Sequence, residues 1–88
     1  MSDGLSVPVF NCVIYLRRLP EGGVYGRVAN LAGLEHTAPN ERDLLSHLLR
    51  HFKERVTTLI SSGEEIPWIE PPPAPETDEE TRLVPMHL

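Results

Sequence analysis

Cysteine is almost missing from these 88 residues. Cys12 stands alone, which excludes an internal disulfide and any zinc site built from several thiolates. Basic residues are also short: eight Lys and Arg face thirteen Asp and Glu, a net charge of −5. A general nucleic-acid binder needs the opposite surplus, because phosphate contacts are made by cations. No apolar run approaches the roughly 20 residues of a membrane-spanning helix, and no signal-type apolar region follows Met1. A reducing, cytoplasmic setting without membrane contact is the expectation. The length leaves room for one hydrophobic core and not for two.

The charge that is present is uneven. Residues 71–88 carry Glu76, Asp78, Glu79 and Glu80 against Arg82, whereas residues 1–70 carry nine acids and seven bases. The run Pro71-Pro72-Pro73-Ala74-Pro75 reads as polyproline II, and the acidic stretch after it has no periodic apolar pattern. The expected organisation is one domain over residues 1–70 and a proline-rich, disordered tail over 71–88.

Within the domain, Val9 to Arg17 is rich in β-branched and aromatic residues and predicts a strand. Phe10, Cys12, Ile14 and Leu16 share one face; Val13, Tyr15 and Arg17 share the other. Pro20 and the Gly22-Gly23 pair break the strand and permit a reversal, and a second strand is expected over Val24–Leu31. Pairing Leu16 with Val28 leaves Glu21-Gly22-Gly23 as a three-residue hairpin loop. A short third strand fits Leu34–Ala38. Asn40 is a helix N-cap with Asp43 three residues on. Leu45, Leu48, Leu49, Phe52, Val56, Leu59 and Ile60 then recur at spacings of three and four, which predicts an amphipathic helix from Glu41 to about Ser62, closed by Gly63. Ile66-Pro67-Trp68-Ile69 is short and apolar, and Pro67 restricts it to an edge strand. The fold class is therefore α+β, in the order β-β-β-α-β: an antiparallel hairpin sheet with one amphipathic helix on one face.

A sheet has two faces and this chain supplies one helix. The face bearing Tyr15, Arg17, Tyr25 and Arg27 is left uncovered, and these four residues are the candidate partner-binding site. Covering such a face favours self-association, as a homodimer or larger oligomer.

Other chemistry has weaker support. His47 and His51 lie four apart on one helical face and could share a metal ion, with Asp43 and Glu54 nearby, but solvated histidines are the better reading and no metal site is assigned. Cys12 falls on the core side of its strand, where a buried thiol is the default. Ser46, Ser61 and Ser62 have no oriented base, and Gly22-Gly23 matches no phosphate-binding pattern. Arg50, Lys53 and Arg55 form a basic cluster that reads as ordinary surface charge. No catalysis and no cofactor are expected. The alternative is a small RNA-binding or RNA-processing domain, since Tyr15 and Tyr25 beside Arg17 and Arg27 offer stacking and phosphate contacts.

The segment Gly23-Val24-Tyr25-Gly26-Arg27-Val28-Ala29-Asn30-Leu31-Ala32-Gly33 resembles the second strand and turn of HicB-like antitoxins. Asn40 and Asp43 sit where that family begins its helix, and Gly63-Glu64-Glu65-Ile66-Pro67 where it leaves it. The resemblance covers roughly residues 9–70. It implies a partial RNase H-like fold without catalytic carboxylates, oligomerisation, and capture of a small RNA-cleaving toxin. No appended DNA-binding module follows Glu70, so DNA is not an expected ligand of this chain alone.

Overall fold

A computed structural model describes residues 9–87 of the chain; the first eight residues of the expected 1–70 domain, and residue 88 of the tail, lie outside them. Its elements are β1 (Val9–Arg18), β2 (Val24–Val28), β3 (Glu35–Ala38), α1 (Glu41–Ser61) and β4 (Glu80–His87). The strands form one antiparallel sheet in the order β3-β2-β1-β4, with α1 against β2 and β3 on one face. The α+β class and the β-β-β-α-β order are as the sequence predicts.

The helix is framed by its caps. Asn40 Oδ1 accepts the Asp43 N–H at 2.8 Å, satisfying one of the four orphan donors of the first turn. At the other end Gly63 takes φ 76°, so that its N–H reaches Ile60 O and the Glu64 N–H reaches Leu59 O, the paired bonds of a Schellman closure. Leu44, Leu48, Phe52 and Val56 form the buried row, each four residues from the last. Leu48, Phe52 and Val56 belong to the predicted stripe, and Leu44 is the buried residue it left out. Leu45 and Leu49 flank the buried row, and Ile60 remains 48% exposed.

Cys12, Ile14 and Leu16 of β1, with Val24 and Val28 of β2, fill the sheet side of this core. Gly26 lies among them, opposite Leu16. A Cβ there would come within 2.7 Å of Leu44 Cδ2 and 3.3 Å of Leu48 Cδ1, so the missing side chain is what lets the helix approach the sheet.

The hairpin register differs from the expected one by two residues. Ile14, not Leu16, pairs with Val28, and the loop spans 19–23. Leu19 exchanges two backbone bonds across it, donating to Gly23 O and accepting from the Gly22 N–H, both at 3.0 Å, with Gly22 and Gly23 at φ 99° and 89°. Two consecutive left-handed residues make this wider reversal accessible. Because side chains alternate with period two, an even shift leaves every residue on its predicted face. β2 also stops at Val28 rather than Leu31. Beyond it the Asn30 side chain replaces the ladder, accepting from the Val13 N–H at 3.1 Å and donating to Asn11 O at 2.8 Å.

The larger correction concerns residues 62–87. Ile66–Ile69 is not a strand. Trp68 turns inward, stacking on Phe10 at 5.7 Å and tilting against Phe52 at 5.9 Å, which covers sheet that the helix leaves open. The chain then crosses to the opposite face and returns as β4, paired with β1 from Leu16↔Glu80 to Val9↔His87. The tail expected to be disordered supplies the fourth strand. Its alternation is modest because β4 is an edge strand: Arg82, Val84 and Met86 are half-buried, while Thr81, Leu83 and Pro85 face solvent. Asn11 and Val13 direct their backbone groups at β2 and Asn30, so their partners Pro85 and Leu83 point theirs away from β1. Pro85 thus stands where its missing N–H breaks no bond within the sheet.

Gly26→Ala is expected to lower stability by about 1–3 kcal/mol, the range for overpacking a filled core, because the fully buried Leu44 and Leu48 side chains must shift to admit the Cβ. Urea unfolding of the purified chain measures this. A loss of less than ~0.5 kcal/mol would mean that the helix does not depend on this close approach.

Candidate interaction face

The sheet face away from the helix carries the four residues singled out above, in two rows set by strand pairing. Arg17 is opposite Tyr25, and Tyr15 is opposite Arg27. Each row forms a cation–π contact: Arg17 Cζ lies 4.9 Å from the Tyr25 ring centroid and Arg27 Cζ lies 5.3 Å from that of Tyr15. The ladder alone brings these groups together, so sheet formation organises the face.

The two rows differ in what covers them. Tyr15 is buried, and its hydroxyl donates to Pro73 O at 2.6 Å. Arg27 grips Glu79 through two bonds, Nε–Oε2 at 3.1 Å and Nη2–Oε1 at 2.9 Å. The Glu79 side chain is 2% exposed and also accepts the Glu76 N–H at 2.8 Å. A strap made of residues 70–79 therefore covers the row predicted to be open. Residues 71–75 form neither helix nor strand. Sequence periodicity gave no sign that Tyr15 and Arg27 would hold that segment, because their contacts with it span 58 and 52 residues.

Tyr25 and Arg17 lie beside the strap and stay partly open. The Tyr25 hydroxyl donates to Glu35 Oε1 at 3.2 Å; burial first, then this bond and the Glu35 charge, raise its pKa. On the β1–β4 side the face is apolar and exposed among the described residues, with Val9 50% and Leu83 62% exposed. Neither residue was singled out from the sequence, since Leu83 lies in the segment read as disordered.

Charge fastens the far end of the strap. Glu41, in the first helical turn, accepts from Arg82 Nε at 2.7 Å and from Arg18 Nη2 at 2.8 Å. The Arg82 bond, ahead of the opposing effect of burial and helped by Arg18, holds the Glu41 carboxyl below its ordinary pKa. Glu79 is lowered chiefly by its bond from Arg27. Burial pushes the Cys12 thiol up to about 12, so it is a protonated core side chain at neutral pH.

His47 and His51 gain an unforeseen neighbour. His36 on β3 stacks on His47 with centroids 3.5 Å apart and planes at 9°, and His51 follows at 4.3 Å. Near-parallel rings direct their nitrogen lone pairs side by side and not toward a common point. Among the described residues no group of three or more His, Cys, Asp or Glu is placed to hold a metal ion. Partial desolvation, then the charges of His36, His51 and Arg50, lower the His47 pKa. No helix among the described residues is long and apolar enough to cross a membrane.

No family model, no curated protein and no solved structure matches this chain.

These shifts predict acid weakening in two windows. The folded pKa of His47 lies below 6.5, so the folded state binds that proton later than the unfolded chain does. Its share of stability is full above pH 6.5 and falls as the pH drops below that value. Glu41 and Glu79, lowered from 4.5, contribute fully above pH 4.5 and lose their share as the pH falls below it. Urea midpoints measured from pH 8 to pH 3 should show both steps. His47→Gln should flatten the upper step and leave the lower one.

Proposed function

We propose that this chain is a non-catalytic protein-binding module of the HicB-like kind, which holds a small toxin ribonuclease as its partner and also assembles with copies of itself. The observation that carries this reading is the exposure of the apolar Val9 and Leu83 side chains beside β4, the edge strand of the described sheet. Exposed aliphatic side chains next to an unpaired strand edge form a surface suited to another polypeptide. The element order around residues 9–61 supports the same reading, since it is the order the resemblance implies.

The RNA-binding alternative draws less support. It needs Tyr15 and Arg27 free to stack on bases and meet phosphates. Both are engaged by Pro73 and Glu79, and the acids of the strap lie over the same face.

Leu83 is the residue on which the reading turns. Co-expression with the product of a small basic reading frame next to this gene should yield a stable complex by size exclusion with light scattering. Leu83→Asp should weaken that complex at least about tenfold, the scale of one buried aliphatic anchor. The thermal midpoint should hardly change, because Leu83 is exposed in the lone chain. The same substitution should turn a dimer into a monomer in sedimentation at tens of micromolar. Absence of any complex with that protein, together with a wild-type monomer at this concentration, would remove the proposal.

A further inference from the structure

Residues 70–87 behave as one arm. They dock on β1 twice, with the strap on its outer face and β4 along its edge. The arm has the character of a bound peptide. Its first part is a proline run, extended before it docks and so losing little entropy on binding. Its middle is acidic, and it meets a basic end of the hairpin: Glu79 sits on Arg27, and Glu80 lies 3.7 Å from Arg18. Its last part adds a strand to a sheet edge, the commonest way for a sheet to take up an extended segment.

The residues that receive this arm belong to elements outside it. Tyr15 and Arg27 are ladder partners in β1 and β2, and Arg27 lies over the Tyr15 ring. Cys12, Ile14 and Leu16 are held by the helix side of the core. The arm is also fastened by the eight-residue ladder of β4 on β1, by Met86 against the core, by the Ile69 N–H to Asn30 O at its root, and by Arg82 to Glu41 at the helix N-terminus.

We infer that the outer face and edge of β1 form a receptor for an extended, acidic, proline-rich peptide, and that residues 70–87 occupy it in cis as a built-in competitor. The inference rests on the reading of the domain as a protein-binding module and adds a second surface to it, one that opens only when β4 leaves, whereas the Leu83 surface needs β4 in place. The Arg27–Glu79 pair is the clasp. With the clasp closed, a tethered arm has the advantage of effective concentration, in the millimolar range for a short flexible linker, and a free peptide of the same kind is shut out.

Glu79→Lys tests this in the full-length chain, because it places a cation beside Arg27 while leaving every receptor residue unchanged. The probe is a fluorescein-labelled synthetic peptide of residues 70–87 with the native sequence, followed by anisotropy. The wild-type chain should bind it weakly, and Glu79→Lys should bind it at least about tenfold more tightly, as expected when a tethered competitor is weakened. Adding Arg27→Glu to Glu79→Lys restores a pair of opposite sign, so the native peptide should again be excluded. Hydrogen exchange of residues 80–87 reports the arm directly and should speed up in Glu79→Lys.

Three results would overturn the inference. Exchange that does not speed up in Glu79→Lys would show that the pair is no clasp. A released arm with no gain in peptide affinity would show that β1 is no receptor. Equal binding of a scrambled peptide of the same composition would show mere charge attraction. The titration contains no partner protein, so its outcome is independent of the co-expression test.

Discussion

Strand β1 needs cover on both of its faces, and the described residues hold a single helix to give. Cys12, Ile14 and Leu16 on one side and Tyr15 on the other are all buried. α1 takes one face with Phe52, Leu48 and Val56. Over Tyr15 the other face is closed by the chain's own extended segment, which must travel from the helix C-terminus around the sheet to reach it. Much of what is distinctive here follows from that demand: the inward turn of Trp68, the use of a stiff proline run as a strap, and the return of the chain as β4. A flexible segment would lose more entropy lying flat over a sheet than residues 71–75 do.

Polar groups make the strap specific to its place. Apolar cover alone would allow it to slide, but the Tyr15 hydroxyl finds one carbonyl and the Arg27 guanidinium one carboxylate, each with defined geometry. Asn30 does comparable work at the other end of the hairpin, where its side chain stands in for a backbone pair and is itself buried. Among the described side chains that are not exposed, no buried nitrogen or oxygen lacks a partner. The small core is therefore bordered by satisfied polar contacts on the sheet side.

The sequence made local features legible and left the distant ones hidden. The helix was readable from its four-residue spacing and from Asn40 and Gly63, and the hairpin faces from alternation. An even error of register moved no side chain across the sheet. Missed were the contacts whose partners lie more than fifty residues apart, because no periodicity connects Tyr15 to Pro73 or Arg27 to Glu79. The segment Thr81–His87 was passed over for a related reason. An edge strand buries one face in part, so its pattern is diluted, and Pro85 within it argues against a strand unless its outward position is known. Of the four site residues chosen from sequence, all lie on the anticipated face; what sequence could not tell was that the chain itself covers Tyr15 and Arg27. His36 joined His47 and His51 for the same reason, through a strand–helix contact invisible to spacing.

Pro85 has a consequence for how copies of this molecule can meet. Sheets with two long open edges can add strands without end, and the product is a fibre. Here one edge is β3, four residues long and stopped by Pro39. The other is β4, in which Pro85 leaves only a carbonyl to offer at its outward position. A neighbouring strand can gain a regular ladder along Thr81–Leu83 and then meets a gap. Any polymer built from repeated edge contacts would carry that defect at every junction, whereas a closed pair of molecules would meet it twice and stop. If copies met edge to edge along β4, the outward proline would confine the regular ladder to Thr81–Leu83.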